Sequence, residues 1–393
     1  MKVRTGSLFG QLLALVDRDM FRRLVGETGA ERASKGFGCW DQFVAMLFGQ
    51  LAQAKSLREI EAGLRSCEGK LRHVGLEDAP RRSTLAYANG HRPCQLFEQL
   101  FYALLASLQG QMPRRKLSFR HKILSLDATV IELCASMFDW ATYRQGKGAA
   151  KIHLLLDHEA YLPVYALITE GNVADITVAQ GLKLPKGSLV VMDRGYTDYH
   201  LYERWCEQGV GFVTRLKKGA NYWVMEERPV PRNRSILKDQ IVEFHVFHAG
   251  RQITHTYRRV EVWLEDKQEV LVLLTNRLDL GASTIAAIYK ERWQIELFFK
   301  ALKQNLRIKT FVGTSANAVR IQIWTALMAM LLVKFLQLRS RFGWALSNLI
   351  TLLRWNLFTY KNLWTWIHQP HPVRGQPPVD TQLHLFLDSR QPA

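Results

Sequence analysis

Along residues 8–110 the apolar positions recur at three- and four-residue steps. "LFGQLLALVDRDMFRRLV", "CWDQFVAMLFGQLAQ" and "CQLFEQLFYALLASL" all carry that spacing, which predicts helices. "SLREIEAGLRS" opens on Ser56 with Glu59 three residues later, the arrangement of a capped helix start. Between these runs "EDAPRRSTLAYANGHRP" is basic and rich in turn residues, with Ser83 and Thr84 placed to cap a helix over a phosphate. Short helices joined by such a turn predict a helix-turn-helix-like module, with an ordinary helical bundle as the alternative.

The pattern changes at the basic linker "MPRRKLSFRHK" (112–122). "KILSLDATVIEL" reads as a strand, "KIHLLLDHEAYLPVYALITEG" as a hairpin and "GSLVVMDRGYTD" as a buried strand running into a loop. "YHLYERWCEQG" predicts a helix and "GFVTRL" a further strand, which together imply a mixed sheet covered by helices. From 213 to 270 the alternation in "IVEFHVFHAGRQITHTYRRVEVWLEDKQEVLVLLTN" predicts a β-meander inserted into that α/β unit. "IYKERWQIELFFKALKQNL" returns to helical spacing, and aromatic-rich helices follow from 316. The run "IQIWTALMAMLLVKFLQL" (321–338) contains two Gln and Lys334, which predicts a buried core helix rather than a membrane span. A Pro-rich tail begins at 368. The expected division is therefore 1–115 helical, 116–212 and 271–315 as two parts of an α/β core, 213–270 as the insertion, 316–367 helical and 368–393 a loose tail.

Charge narrows the partners. The 393 residues carry 53 Lys and Arg against 35 acids, a net +18 that favours a polyanion such as nucleic acid. After Glu296 there are twelve basic residues and only Asp380 and Asp388 to oppose them. Cys39, Cys67, Cys94, Cys134 and Cys206 form no CxxC pair, so neither a zinc site nor a disulfide framework is expected. The N-terminal segment lacks the apolar stretch and cleavage site of a signal peptide, which points to the cytosol.

Three acids stand where a sheet would expose them. Asp127 interrupts the apolar strand "ILSLDATV", Asp193 ends the strand "SLVVM", and Glu296 lies on the helix after the insertion. Two aspartates from neighbouring strands and a glutamate from a helix can converge on a pair of Mg²⁺ ions, whose hard charge prefers oxygen ligands. Asp157 and Asp175 read as turn or cap acids and Asp198 as an N-cap. At roughly 100° per residue, Tyr289, Arg292, Glu296 and Lys303 fall within about 60° around one helix. Ile288, Ile295, Phe298, Phe299, Leu302 and Leu306 occupy the arc behind them, which predicts an apolar back and a charged front on one helix.

The Asp127, Asp193, Glu296 order, with a β-rich insertion before the Glu helix, resembles DDE-type transposases with an RNase H-like core. Tyr289-x2-Arg292-x3-Glu296-x6-Lys303 is similar to the Tyr-Arg-Glu-Lys signature of the insertion-sequence subgroup numbered family four, as are "LDATVI" and "DRGYTD" around the two aspartates. The resemblance covers roughly 115–310. It implies that Asp127, Asp193 and Glu296 bind two Mg²⁺ ions, with Mn²⁺ as a substitute, and that Tyr289, Arg292 and Lys303 grip neighbouring phosphates. It further implies a bacterial cut-and-paste enzyme of the cytoplasm and nucleoid. Such an enzyme nicks and joins double-stranded DNA at terminal inverted repeats, as a homodimer on paired ends and with no membrane role.

Other residues are candidates for the same surface. Lys300 points close to the signature face and Arg194 follows Asp193 directly. Lys217 and Lys218 in "RLKKGANYW" flank Trp223, which is favoured over Trp263 as an indole for a flipped base to stack on. Trp293 reads as packing and His153 as an ordinary strand residue. Two rival readings remain: a domesticated, non-catalytic DNA-binding protein, and an RNase H-like host nuclease.

Overall fold

Ser7 and Asp17 decide where the first two helices begin. Their side-chain oxygens accept the free N–H groups of α1 (Leu8–Leu13) and α2 (Arg18–Thr28). The first apolar run is thus two helices, divided at the Asp17 cap. α3 (Cys39–Ala52) follows, then α4 (Leu57–Arg65), capped by Ser56 as its sequence predicts. α5 (Arg82–His91) starts before Ser83 and Thr84, so neither hydroxyl caps it. Glu61 on α4 accepts the Arg82 N–H at 3.0 Å instead, and both hydroxyl residues sit exposed in the first turn. α6 (Gln95–Gln109) completes this group.

The computed structural model describes residues 6–371 other than 33, 35, 113–120, 134–147, 233–234, 249–250 and 307–311. Most of the basic linker and of the Pro-rich tail, with Cys134, lies outside the described residues.

Next come β1 (Ile123–Leu133), β2 (Gly148–Asp157), β3 (Leu162–Glu170), α7 (Asp175–Gly181), β4 (Leu189–Met192), α8 (Tyr199–Glu207) and β5 (Gly211–Arg215). β6 (Trp223–Glu227), β7 (Ile236–His248), β8 (Arg251–Leu264) and β9 (Glu269–Thr275) lead to α9 (Ala282–Glu291) and α10 (Trp293–Asn305). The chain then runs through α11 (Ala316–Arg339), α12 (Leu346–Asn356) and α13 (Leu363–His368).

All nine strands form one mixed sheet in the order β3-β2-β1-β4-β5-β9-β8-β7-β6. β1, β4 and β5 run parallel at its centre, and the other pairings are antiparallel. The meander is therefore continuous with the central sheet, and the expected boundaries at 213 and 270 fall inside β5 and β9. Two-residue alternation buries both faces: Val190 and Met192 pack under α7 and α8, while Leu189 and Val191 pack under α9.

A buried ion pair ties the long hairpin to the rest. Arg258 on β8 binds Asp239 on β7 with Nη2–Oδ2 at 2.6 Å and Nε–Oδ1 at 2.7 Å, both side chains 5% exposed or less. Its remaining donors reach the carbonyls of Leu278 and Leu280 in the segment entering α9.

The helices of the two ends share a core. α11 is apolar on nearly every side, so it can be stable only when surrounded. It packs on α3, α5, α6 and α12, and 83% of its most apolar window is buried. It is the one helix among the described residues long and apolar enough to cross a membrane, and here it serves as a core helix. Ile295, Phe298 and Leu302 of α10 enter this core, joining the helical body to the sheet.

Candidate active site

β1 and β4 run parallel, and their last paired residues are Leu126 and Met192. The next residue on each strand is an aspartate, so Asp127 and Asp193 leave the paired stretch side by side. This is the carboxyl end of parallel strands, where open α/β sheets place their ligands. Leu124 and Leu126 face the α7–α8 layer, and alternation turns Asp127 toward α9 and α10.

The third carboxylate arrives from across the sheet. Glu296 lies in the first turn of α10, behind a joint at Arg292. There the Arg292 N–H bonds Tyr289 O at 3.1 Å and the Ile295 N–H bonds Arg292 O at 3.2 Å. These two three-residue closures tighten the backbone and divide the helix expected to be continuous. The signature residues are consequently not a solvated front: Tyr289 is buried, and Arg292, Glu296 and Lys303 are half-buried.

Arg292 connects the carboxylates. One guanidinium nitrogen is hydrogen-bonded to Glu296 Oε1, and Nη1 stands 3.5 Å from Asp127 Oδ2. Burial pushes the Asp127 carboxyl up to about 6; the Ala128 N–H and Arg292 pull it down, while Glu296 and Asp193 raise it further. Burial likewise pushes the Tyr289 phenol up to about 12. Asp193 spends one oxygen on the Arg194 N–H at 2.7 Å, capping a short turn over Arg194–Tyr196.

The donor chemistry fits a hard divalent cation, since three carboxylates with mutual repulsion gain from a shared positive charge. The geometry fits less directly, because among the described residues no three Asp, Glu, His or Cys side chains are grouped to hold a metal ion. Arg292 is the positive charge that Asp127 and Glu296 share.

The other candidates spread outward from this centre. Arg194 is exposed directly beyond Asp193, and Lys217 and Lys218 are exposed after β5. Lys300 is exposed one turn beyond Glu296 and lines a cleft of about 450 Å³ with Gln294, Gln304, Lys334, Ser347 and Tyr161. Trp223 is 53% exposed at the start of the edge strand β6, with β5, β9, β8 and β7 between it and β4. Trp263 is half-buried in β8. Trp293, expected to pack, is 52% exposed beside the joint, on the side of α10 opposite the buried Ile295 and Leu302. Asp198 caps α8, as read, and Asp157 holds a turn by accepting the Glu159 N–H. His153 is buried, bonded to Thr169 at 2.9 Å and 3.6 Å from Asp175, and burial lowers it to about 4.

One cluster escaped sequence reading. Ser125 Oγ lies 2.7 Å from His158 Nε2, His158 Nδ1 lies 3.7 Å from Glu291 Oε2, and Tyr161 Oη bonds the same carboxylate at 3.0 Å. The order imitates a nucleophilic triad, but Ser125 and His158 are fully buried and 3.7 Å is no hydrogen bond. Its effect is positional: it ties β1, two residues before Asp127, to the residue before Arg292. The alternation that placed Ser125 on the face of Asp127 was a readable signal; the approach of His158 was not.

A transposase DDE domain family model matches residues 118–332, and a domain of unknown function matches residues 4–77. The y4zB protein of Sinorhizobium fredii, provisionally named a transposase, is 29% identical over 75% of this chain and 82% of its own. A Geobacillus stearothermophilus protein provisionally named as the transposase of insertion sequence element IS5377 is 28% identical over 65% of this chain and 67% of its own. A third, from Synechocystis and provisionally assigned to element IS4SA, is 23% identical over 69% and 76%.

Proposed function

This chain belongs to the transposase DDE domain family, and from that premise we propose that it is the transposase of a bacterial insertion sequence, cutting its own element out of DNA and joining it elsewhere. The observation that carries the reading is the pair of aspartates side by side where the parallel pairing of β1 and β4 ends, with Glu296 approaching from α10 and linked to Asp127 through Arg292. The β3-β2-β1-β4-β5 order, with β2 antiparallel, supports an RNase H-like core. The Tyr289, Arg292, Glu296 and Lys303 spacing supports the Tyr-Arg-Glu-Lys subgroup.

Asp127, Asp193 and Glu296 would hold the divalent metal, Mg²⁺ as two ions or Mn²⁺ in its place. Bound there, the metal would activate water or a 3′-hydroxyl and stabilise the leaving oxygen of a phosphodiester. The chain's own side chains do the holding. Tyr289 and Arg292 offer donors to a phosphate beside the cut, and Lys303, further along α10, neutralises the next. Arg194, Lys217, Lys218 and Lys300 are exposed cations around the site, suited to backbone phosphates. Trp223 offers an exposed indole on which a base can stack. The N-terminal helices would recognise the inverted repeats, two chains would pair two ends, and the protein would work in the cytoplasm on the nucleoid.

The test is cleavage of end-labelled duplex from the DNA flanking the gene, with Mg²⁺ or Ca²⁺, by wild type and Glu296→Ala. Discrete Mg²⁺-dependent cuts at a repeat boundary, absent in the variant, are expected. Wild-type binding without cutting under any divalent metal would instead indicate a DNA-binding protein that keeps the triad as a relic.

A further inference from the structure

We infer that Arg292 is a resident counter-cation of the carboxylate cluster, leaving it for a DNA phosphate, so that DNA and divalent metal load together rather than independently. The inference rests on the transposase reading and adds to it an order of assembly.

Position carries the first part. Arg292 is bonded to Glu296 and stands 3.5 Å from Asp127, with its side chain 14% exposed. A cation bridging the same two oxygens would stand where the guanidinium stands. Metal and Arg292 therefore compete for the same oxygens.

A second station for the guanidinium is built beside the first. Arg292 Nε and Tyr289 Oη are both buried, and neither has a hydrogen-bond partner. Buried donors left unpaired are costly, about 1–3 kcal/mol each, and such groups call for an explanation. The Arg292 guanidinium carbon lies 5.7 Å from the Tyr289 ring centroid, so the two side chains are neighbours. An anionic oxygen entering there, as on a backbone phosphate, can accept from both. Asp127 and Glu296 cannot supply it, because their contacts are made at the other end of the guanidinium.

The backbone does not have to follow. Glu291, the neighbouring residue, is bonded to Tyr161 and lies against His158, which is bonded to Ser125 of β1. The joint is thereby fastened to the strand that carries Asp127, and the side chain alone changes partners. Three carboxylates, two of them held by one arginine, attract a divalent cation weakly; the same three, with the arginine drawn to phosphate, attract it strongly. By linkage, the factor by which DNA tightens metal binding equals that by which metal tightens DNA binding, and such couplings run to about 5–150-fold.

The experiment measures Mn²⁺ binding to the full chain by electron paramagnetic resonance of free Mn²⁺, with and without a short blunt duplex of arbitrary sequence. Wild type, Arg292→Gln and Asp127→Asn are compared at one pH and ionic strength. Arg292→Gln should bind Mn²⁺ about tenfold tighter than wild type without DNA. Duplex should tighten wild-type binding about tenfold and the variant by less than about threefold. Equal Mn²⁺ affinity in wild type and Arg292→Gln, or equal enhancement by duplex, overturns the inference. Should Arg292→Gln misfold by circular dichroism, wild type alone decides, because Mn²⁺ must then tighten duplex binding by the same factor and independence overturns the idea. Failure of the transposase reading has a different signature: wild-type Mn²⁺ binding that Asp127→Asn leaves untouched.

Discussion

Arg258 and Arg292 both meet carboxylates inside the same layered sheet, yet their surroundings differ in kind. Arg258 and Asp239 are joined by two short bonds, and the spare guanidinium donors end on two carbonyls. Arg292 divides itself between two carboxylates, reaches one only at 3.5 Å and leaves Nε without an acceptor. The first site is matched in charge and in hydrogen bonds. The second has three carboxylates nearby and one guanidinium touching two of them. A structural ion pair is closed, whereas a site that must take up other charges stays short of them.

Breaking the closed pair should have the largest effect. Asp239→Ala leaves a buried guanidinium uncompensated and should cost about 3–5 kcal/mol, read as a lower midpoint in urea unfolding. A cost below about 1 kcal/mol would mean that the hairpin does not depend on the pair.

Removing charge from the open site should do the opposite. The folded value of Asp127, about 6, lies above its ordinary 3.8, so the native state holds the proton more tightly. Stability therefore falls as pH rises from 3.8 through about 6, and the cost is complete above that. Asp127→Asn should stabilise the chelator-treated protein at pH 8 by about 1–3 kcal/mol while abolishing cleavage. A destabilised variant would show that Arg292 compensates Asp127 more fully than its geometry suggests.

His153 contributes an effect of similar size to that of Asp127, and it runs the other way. Burial lowers it from 6.5 to about 4, so the unfolded chain binds the extra proton and stability is lost as pH falls through that window. The slope is at most about 1.4 kcal/mol per pH unit. The Asp127 and His153 windows overlap with opposite signs, so wild type should be nearly flat there. His153→Gln should expose the Asp127 slope and Asp127→Asn the His153 slope, both read from urea midpoints at pH 5 and 7.5.

What the sequence made legible follows from the range of each interaction. Asp127 and Asp193 were readable because a carboxylate in or after an apolar strand stands out against its neighbours. The Ser56 cap and the Asp198 cap were readable because their partners lie two or three residues away. Asp239 and Arg258 were not, since a charge in an alternating strand looks solvated until register lays β7 beside β8. The joint at Arg292 was also silent: no Gly or Pro marks it, and arginine is a good helix former. α11 could be read as a core helix from its uniform apolarity, but not which helices would surround it.

Those surrounding helices carry a consequence for how the protein is made. Asn317 bonds the carbonyls of Asn89 and Arg92 and accepts from the Cys94 N–H, and Leu8 N bonds Thr359 O. Contacts of such sequence separation are formed late and slow folding. While the ribosome is still reading the middle of the gene, α6 has no α11 to cover Phe101 and Tyr102, whose rings meet Trp324. A product ended early by a frameshift would keep those rings bare and go to proteolysis or aggregation, so only a chain read through α11 can mature.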